Sequence, residues 1–397
     1  MTVCKKTLTG RETARFGFTA TDLGYVSPTN HGYAIAIFGD TFNDTPDLVW
    51  VPQNWRSPVG LRQSNTDIEN GICWDNAIGG DIARQMIPYR HAGTPRAGRL
   101  PDGFTNIPND LIHLPDGRFI MTTAAVSSWD PALTDGSWST FHSRMWTSTD
   151  THAEKWERTW DIEGNHANMD FPNSGEWRHF QNNTMLKLPD EPWIYIHGTD
   201  EGRRPDGGIH LMRVHWESMW NRSTYEFWGC DSAGEWAWRR GGHTTPVLMP
   251  TLPRNGIGEL STQYIDSRVV MSYCDGQLGA VTRTATRPEG EWTVPRIQVS
   301  PAEAPSPYAP CIHPFSTLGR AQMLLSQWTK HPKKENRTTF YGVKQWEVDL
   351  SCDAYLETAS LSASDLAAVL GEHADPDVDR GYIDQVVSAT RSGSSPH

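Results

Sequence analysis

The chain has 397 residues, and 35 Lys and Arg against 47 Asp and Glu give a formal net charge of −12. This length allows a large core without disulfides or metals. The negative balance argues against a general nucleic-acid binder, which needs a basic face. No apolar run reaches the roughly 18 residues of a membrane span. Neither nucleic acid nor a membrane span is therefore expected.

Short runs of strand-forming residues recur along the chain, each bounded by turn residues. Most are followed by a second, alternating strand and then by a tryptophan-bearing segment. The runs begin at Gly32, Gly117, Pro192, Ser267 and Arg320. A hairpin repeated at such intervals is typical of propeller blades that carry insertions. The sequence therefore predicts an all-β fold, a five-bladed β-propeller, over residues 1–353.

Both ends of the chain carry predictions of their own. The N-terminus is charged but lacks the apolar stretch of a secretory signal, so export by lysis or on a phage particle is expected for an extracellular role. From residue 354 the pattern changes, and Leu361–Ala374 has a Ser/Asp start, a spaced apolar face and a late glycine. Residues 354–397 are predicted to form a short helical appendage with a disordered tail.

The cysteines and histidines give no sign of a metal or cofactor. Six cysteines are widely spread without a CxxC pair, so a structural zinc site is not expected. Reduced thiols are predicted, with a disulfide between distant loops as the alternative. HExxH, GxSxG and a phosphate-binding glycine loop are absent. A structural calcium ion in an axial channel stays open as an alternative.

Two aspartates suggest carbohydrate chemistry. Glycoside hydrolysis needs one carboxylic acid and a second carboxylate that acts as base or nucleophile. Asp22, in TATDLGY, is expected at the end of an innermost strand, and Asp40, in IAIFGDTF, ends the next strand. A carboxylate buried after an apolar run is costly without a partner, which favours function. The alternative is that Asp40 starts a turn and Asp22 caps one.

Nine motifs follow one another in the order of a known family. They are TDLGY, FGDTF, NIPNDLI, SRMWTSTD, GIGELSTQYID, VMSYCDG, TRTATRPEGEWT, CIHP and LLSQW. The set resembles the endo-D-arabinanases, glycoside hydrolase family 183, formerly a domain-of-unknown-function family of actinobacteria and their phages. The resemblance spans roughly Ala14 to Leu350. TDLG and FGDT are its most specific parts, and Ala20 stands where the family often has glycine.

The resemblance implies a five-bladed propeller that cleaves internal α-D-arabinofuranosyl linkages of mycobacterial-type arabinogalactan and lipoarabinomannan. It also implies that Asp22 and Asp40 are the catalytic pair. We expect Asp40 to be the acid, because its strand is the more apolar, and Asp22 to be the base. By analogy with other five-bladed glycosidases, inversion of the anomeric centre is expected.

Six further residues are candidates for substrate binding. Asp110, Glu259 and His313 stand at the entries of three repeat units, where turn or capping roles are the alternative. His313 and Gln181 offer hydrogen bonds to furanose hydroxyls, and Trp74 and Trp138, on insertions, offer faces for stacking. Acidic candidates at strand entries are expected to face an axial funnel.

Other functions remain open at this stage. A non-catalytic carbohydrate-binding propeller, such as a phage adhesin or tail protein, would also explain the 18 tryptophans. Another furanosidase or a sialidase-like enzyme is a further alternative, since Ser148–Trp156 resembles the Asp-turn of sialidase propellers. That segment has His152 in place of glycine and its tryptophan one position late. A homo-oligomer or a phage particle is the expected setting.

Overall fold

The computed structural model describes residues 2–43, 55–89, 91, 102–129 and 138–351. Within these ranges the regular structure consists of β-strands and short 3-10 helices, with no α-helix. No helix in these ranges is long and apolar enough to span a membrane. The predicted C-terminal appendage lies outside the described residues. The chain is therefore nearly all-β in its described part, as the sequence predicts.

The strands are, in chain order, β1 (Val3–Thr7), β2 (Leu23–Pro28), β3 (Ala34–Phe38), β4 (Val59–Gln63), β5 (Asn76–Ala77), β6 (Thr105–His113), β7 (Phe119–Ser128), β8 (Ser139–Ser148), β9 (Glu157–Arg158), β10 (Phe171–Pro172), β11 (Asn182–Lys187), β12 (Trp193–Thr199), β13 (His210–His215), β14 (Glu226–Cys230), β15 (Trp236–Arg240), β16 (Ile257–Ile265), β17 (Arg268–Asp275), β18 (Ala280–Ala285), β19 (Arg296–Val299), β20 (Pro307–Ile312), β21 (Ala321–His331) and β22 (Lys334–Val348). The 3-10 helices cover Gly10–Glu12, Ala14–Phe16, Ile68–Asn70, His166–Met169, Gly175–Phe180, Trp216–Ser218, Arg222–Thr224 and Gly276–Leu278.

Antiparallel pairing organises these strands into five sheets within the described ranges. The first sheet holds β2–β5, the second β6–β10, the third β11–β15 and the fourth β16–β19. The fifth holds β20–β22 together with β1. The five runs singled out in the sequence are β3, β7, β12, β17 and β21. The prediction of these strands is confirmed, and each is the second strand of a different sheet.

The first strands of the five sheets contact one another in cyclic order. β2 contacts β6, β6 contacts β11, β11 contacts β16, β16 contacts β20, and β20 contacts β2. The N-terminal strand β1 pairs with β22, the last strand of the described chain, so that Val3 is opposite Glu347. The five first strands therefore border a common interior, and their neighbours in each sheet lie farther out.

Apolar strands and tryptophans fill the space between the sheets. All five residues of β3 are buried, because sheets that pack face to face cover both faces of a strand. Trp146 is only 1 % exposed, and its indole N–H donates to Thr123 Oγ1 at 2.9 Å. Cys4, Cys73, Cys230, Cys274 and Cys311 are free thiols. These five form no disulfide with one another, and Cys352 lies outside the described residues, so reduced thiols stay a prediction.

Candidate active site

The two aspartates lie side by side where the first sheet begins. Asp22 directly precedes β2, so the prediction that it ends a strand is wrong. Asp40 follows β3 after Gly39, as the apolar run predicts. Leu23 pairs with Phe38, and the Gly39 N–H donates to the Asp22 carbonyl at 3.1 Å. Antiparallel pairing therefore brings the start of β2 and the end of β3 together.

A β-bulge directly follows Asp22. The register of β2 against β3 shifts between Leu23 and Tyr25. Leu23 has a φ of 67° and Gly24 a φ of 81°, a left-handed conformation that glycine adopts without steric cost. Bulges often occur beside active sites, and this one immediately follows Asp22 in the chain.

Asp40 is a buried carboxyl whose charged form has two donors. It is 3 % exposed. Its Oδ1 accepts a hydrogen bond from Trp55 Nε1 at 2.6 Å and another from Thr105 Oγ1 at 2.8 Å. Burial raises the pKa of Asp40 to about 7, although both hydrogen bonds act in the opposite direction. Near neutral pH this group can therefore be either charged or protonated.

Asp22 is a buried carboxyl with two tyrosine hydroxyls beside it, those of Tyr308 and Tyr341. Its Oδ2 accepts from the Tyr308 hydroxyl at 3.0 Å, while its buried Oδ1 lacks a well-formed hydrogen bond to any described residue. Burial, followed by the charge on Asp40, raises the pKa of Asp22 to about 8. The hydroxyls of Tyr341 and Tyr308 oppose this rise. The carboxyls thus interact electrostatically, and Asp22 favours its protonated form more strongly.

An aromatic wall adjoins the pair. Trp55, which donates to Asp40, belongs to one buried cluster with Trp138 and Tyr341. Trp138 is 7 % exposed, and its ring centroid lies 5.5 Å from that of Trp129. The structure therefore brings Trp138, a predicted stacking residue, to the same cluster as the donor of Asp40. The rings of Trp55, Trp138 and Tyr341 are buried, so in this structure they pack the surroundings of Asp40.

Glu259 also belongs to this region. It is 8 % exposed, and Arg203 Nη2 donates to its two oxygens at 2.8 and 2.9 Å. The Arg203 guanidinium lies 5.4 Å from the Trp138 ring and 5.6 Å from the Tyr308 ring. The charge on Glu259 contributes to the raised pKa of Asp22. Glu259 therefore acts electrostatically on Asp22.

Two predicted binding residues, Trp74 and His313, lie in the core instead. Trp74 is 4 % exposed and its indole N–H donates to the Leu8 carbonyl at 2.8 Å. His313 is fully buried, with Nε2 2.8 Å from Gln63 Oε1. Burial lowers the pKa of His313 to about 3, which keeps it neutral. Neither side chain presents a surface that a sugar can reach.

Gln181 and Asp110 are likewise occupied by the fold. Gln181 is fully buried, its amide N–H donates to the Phe171 carbonyl at 3.1 Å, and its Oε1 accepts from a threonine. Asp110 Oδ2 accepts from Thr184 Oγ1 and from the Met185 N–H, both at 2.7 Å. These bonds tie β6 to β11. Both side chains therefore serve the packing of neighbouring sheets.

Asp110→Asn is expected to destabilise the fold by about 2 kcal/mol or more without changing turnover by the folded enzyme. The amide group would face two donors, Thr184 Oγ1–H and the Met185 N–H, and a buried donor without an acceptor is costly. Chemical denaturation and kcat of the folded fraction measure the two effects. A drop in kcat with unchanged stability would instead place Asp110 in the catalytic machinery.

Several residues of this site escape sequence reasoning, namely Trp55, Thr105, Arg203, Tyr308 and Tyr341. Tyr308 is 286 positions from Asp22, and no local pattern links them. The one usable signal for Tyr308 is its place near the start of β20, the same place that Asp22 has in β2. Among the described residues, no three His, Cys, Asp or Glu side chains are grouped so that they could hold a metal ion.

Comparison with known proteins places this chain in a family. Residues 8–347 match the profile described as Domain of unknown function (DUF4185). The chain belongs to the DUF4185 family. The resemblance seen in the sequence is thereby confirmed at the level of the family. A curated relative, Notoamide biosynthesis cluster protein J' of Aspergillus versicolor, is 29 % identical over 331 residues, 79 % of this chain and 82 % of the relative.

Solved structures share the fold of this DUF4185 protein. A protein of Bacteroides ovatus matches with a TM-score of 0.59 at 14 % identity, covering 88 % of this chain and 90 % of its own. A family 117 glycoside hydrolase of Zobellia galactanivorans matches with a TM-score of 0.51 at 11 % identity, covering 89 % and 91 %. At such identities the likeness shows the fold alone. The curated relative is fungal, so the comparisons lend no support to a phage origin.

Proposed function

We propose that this chain is a glycoside hydrolase in which Asp22 and Asp40 are the acid and the base. The observation that carries the proposal is the pair itself, two buried carboxyls that interact and have no cation bonded to them among the described residues. Unpaired buried carboxylates are costly, and shifted titration of adjacent carboxyls is the usual basis of acid and base roles. The fold shared with a family 117 glycoside hydrolase supports a sugar as substrate.

The fold we propose is a five-bladed β-propeller, with each sheet as one blade. The cyclic contacts among the five first strands support this arrangement, as does the pairing of β1 with β22, which joins the two ends of the described chain in one sheet. Its structural neighbours belong to glycoside hydrolase propeller families. In such a fold, the starts of the first strands meet at one end of an axial funnel.

We assign Asp22 as the acid and Asp40 as the base, the reverse of the order expected from the sequence. The donors Trp55 and Thr105 stabilise the anion of Asp40, whereas Asp22 has the higher pKa, raised by burial and by the charge on Asp40. Asp22 gives its proton to the glycosidic oxygen as the bond to the anomeric carbon breaks. Asp40 takes a proton from the water that attacks this carbon.

This scheme inverts the anomeric centre, because water enters opposite the leaving group. Inversion requires carboxyl groups about 6.5–9.5 Å apart, against about 5–5.5 Å for retention. Proton NMR of the first product distinguishes the two outcomes. A product with the retained configuration would make Asp40 a nucleophile and overturn the role of base.

The substrate class we propose is mycobacterial-type D-arabinan, cleaved internally. Its support is the likeness of TDLG and FGDT to the endo-D-arabinanases, together with membership of the DUF4185 family. The glycan is extracellular, and the proposed setting is release by lysis or a place on a phage particle, as a single chain or a homo-oligomer. No cofactor is needed by this chemistry.

The deciding experiment measures reducing ends released from purified mycobacterial arabinogalactan and lipoarabinomannan. L-arabinan and sialosides serve as matched substrates. Ladders of oligoarabinosides from the D-arabinans alone are the expected result. Cleavage of L-arabinan or of a sialoside would support the assignment as a hydrolase but contradict D-arabinan as its substrate. If the protein binds the polymer but releases no new reducing ends, the proposed hydrolase activity is wrong and a carbohydrate-binding function is favoured.

Thr105→Val is expected to move the acidic limb of the pH–rate profile upward by about 0.5–1 pH unit. The base must be charged to act, and the variant loses a donor that stabilises the Asp40 anion. Initial rates between pH 4 and 9 measure the shift. Thr122→Val is the matched control, since Thr122 is also buried and donates to Asn183 Oδ1 at 2.8 Å. Equal shifts in both variants would contradict the role of Thr105.

A further inference from the structure

Arg203 contacts both Glu259 and Tyr308, two residues that act on Asp22. It lies on the loop between β12 and β13, and its guanidinium sits near the rings of both Trp138 and Tyr308, at 5.4 and 5.6 Å. Its Nη2 donates to both oxygens of Glu259. Cation–π contacts and an ion pair at once hold a guanidinium in one orientation. The position of Arg203 is therefore fixed by three partners from three other parts of the chain.

The backbone is shaped to allow this position. Pro205, just after Arg203, forms a bridge with Gly256 at the entrance of β16. A Cβ on Gly256 would collide with the Arg203 carbonyl oxygen, so only glycine permits this approach. The loop after β12 is thereby pressed against the strand that bears Glu259, which brings the cation to the carboxylate.

A continuous chain of contacts links Arg203 to Asp22. The Tyr308 ring lies under the guanidinium, and the Tyr308 hydroxyl donates to Asp22 Oδ2 at 3.0 Å. Arg203 Nε is buried without a hydrogen-bond partner among the described residues, which leaves the ion pair and the rings as its recorded interactions. The guanidinium thus restrains the ring whose hydroxyl meets the catalytic acid.

We propose that Arg203 is a positioning residue of this site, which holds the Tyr308 hydroxyl on Asp22 and neutralises Glu259 behind it. The inference rests on the proposed function for its meaning in catalysis. The ionisable groups that face Asp22 are Asp40 after β3, Tyr25 on β2, Glu259 on β16, Tyr308 on β20 and Tyr341 on β22. Arg203 is the cation behind Glu259 and Tyr308.

The sign of the effect follows from these charges. Without Arg203, the negative charge of Glu259 is uncompensated and disfavours a second negative charge on Asp22. The Tyr308 hydroxyl also becomes a weaker donor, because the cation that lowers its pKa is gone. Both changes favour protonated Asp22. Removing Glu259 favours ionised Asp22 instead, because a nearby negative charge is lost while the positive charge of Arg203 remains.

The test follows the titration of Asp22 directly, by NMR of the full chain labelled with ¹³C at the aspartate carboxyl carbons. The Asp22 signal is the one that Asp22→Asn deletes. Arg203→Met is expected to raise the midpoint by about one pH unit, and Glu259→Gln is expected to lower it. Arg203→Lys keeps the charge but not the planar contacts, so a smaller rise is expected.

Arg213→Met is the matched control. Arg213 lies between the rings of Trp193 and Trp238, at 4.1 and 4.2 Å, and pairs with Glu226 at 2.8 Å. The variant therefore loses contacts of the same kind in the outer part of the third sheet, and the Asp22 midpoint is expected to stay unchanged. An equal shift in both arginine variants, or none in Arg203→Met, would overturn the proposal.

Activity gives a second and separate readout. In Arg203→Met, the basic limb of the kcat/KM profile should follow the Asp22 midpoint to higher pH, because the acid must be protonated. If the wild type cleaves no glycan while the NMR midpoint still moves as expected, the proposed function fails and the positioning role stands. If Arg203→Met does not fold, Arg203→Lys and Glu259→Gln carry the test, and unchanged midpoints in both would overturn it.

Discussion

Asp22→Asn and Asp40→Asn are each expected to reduce kcat by about 100- to 10,000-fold, the range typical of general acid–base groups. Asparagine keeps the shape of the side chain but neither gives nor takes the required proton. Reducing-end assays of the folded variants on the substrate identified for the wild type measure this loss. Turnover near the wild-type rate in either folded variant would refute the assignment of that residue.

The same substitutions should stabilise the fold at high pH. In the folded chain the pKa of Asp22 is about 8, well above its ordinary value of 3.8. Between these two pH values the folded chain binds more protons than the unfolded chain, so stability falls as pH rises. Asp22→Asn removes this loss. Its free energy of unfolding should match the wild type near pH 4 and exceed it by an amount on the order of 2 kcal/mol near pH 8.

Urea denaturation at both pH values measures this difference. Asp110→Asn is the contrasting variant, because Asp110 accepts three hydrogen bonds and an amide nitrogen would face at least one of these donors. Burial raises the pKa of Asp110 to about 6, but the lost hydrogen bonds should lower stability at both pH values. Loss of activity combined with a gain in stability is the signature expected of a functional carboxyl. A loss of stability in Asp22→Asn at pH 8 would indicate instead that Asp22 supports the fold.

Gly39→Ala is expected to lower kcat by about 100-fold or more, although it adds a single methyl group. The new Cβ would lie well inside van der Waals distance of Asp22 Oδ1, and 3.0 Å from Leu23 Cδ1. The Asp22 carboxyl must therefore move, and a displacement of about 1 Å costs on the order of 100-fold in rate. Single-turnover rates separate this loss from weaker substrate binding.

Gly319→Ala is the control for this substitution. A Cβ at Gly319 meets no atom within 4 Å, so activity and stability should both stay close to the wild type. Gly39→Ala is expected to fold, because its neighbours are a carboxyl and a leucine side chain that can shift. Full activity in folded Gly39→Ala would mean that the orientation of Asp22 does not limit the reaction.

Particular residues show how far the sequence predicts this molecule. The run Ala34–Phe38 predicts a buried strand and an aspartate at its end, because both features are local. The position of Asp22 at the start of β2 is not readable in the same way, since it depends on a bulge and on the pairing of Leu23 with Phe38. Local patterns therefore locate strands and their ends better than they locate side chains.

Roles that depend on distant contacts are the ones that sequence reasoning misses. Trp74 and Trp138 are both tryptophans on insertions, yet the first is bonded to Leu8 in the core and the second joins the wall beside the catalytic pair. Composition cannot separate them, because both rings are buried and only their contacts with distant parts of the chain distinguish them. Tyr308 and Arg203 escape for the same reason.

The pairing of β1 with β22, the last strand of the described residues, has a consequence for synthesis on the ribosome. Leu23, beside Asp22, donates its N–H to Ser326 Oγ at 2.8 Å, and β1 pairs with β22. Neither contact can form until the C-terminal part of the chain has emerged, and such long-range contacts form late in folding. The surroundings of Asp22 should therefore be incomplete until translation has passed β22, and any activity that depends on Asp22 should begin only then.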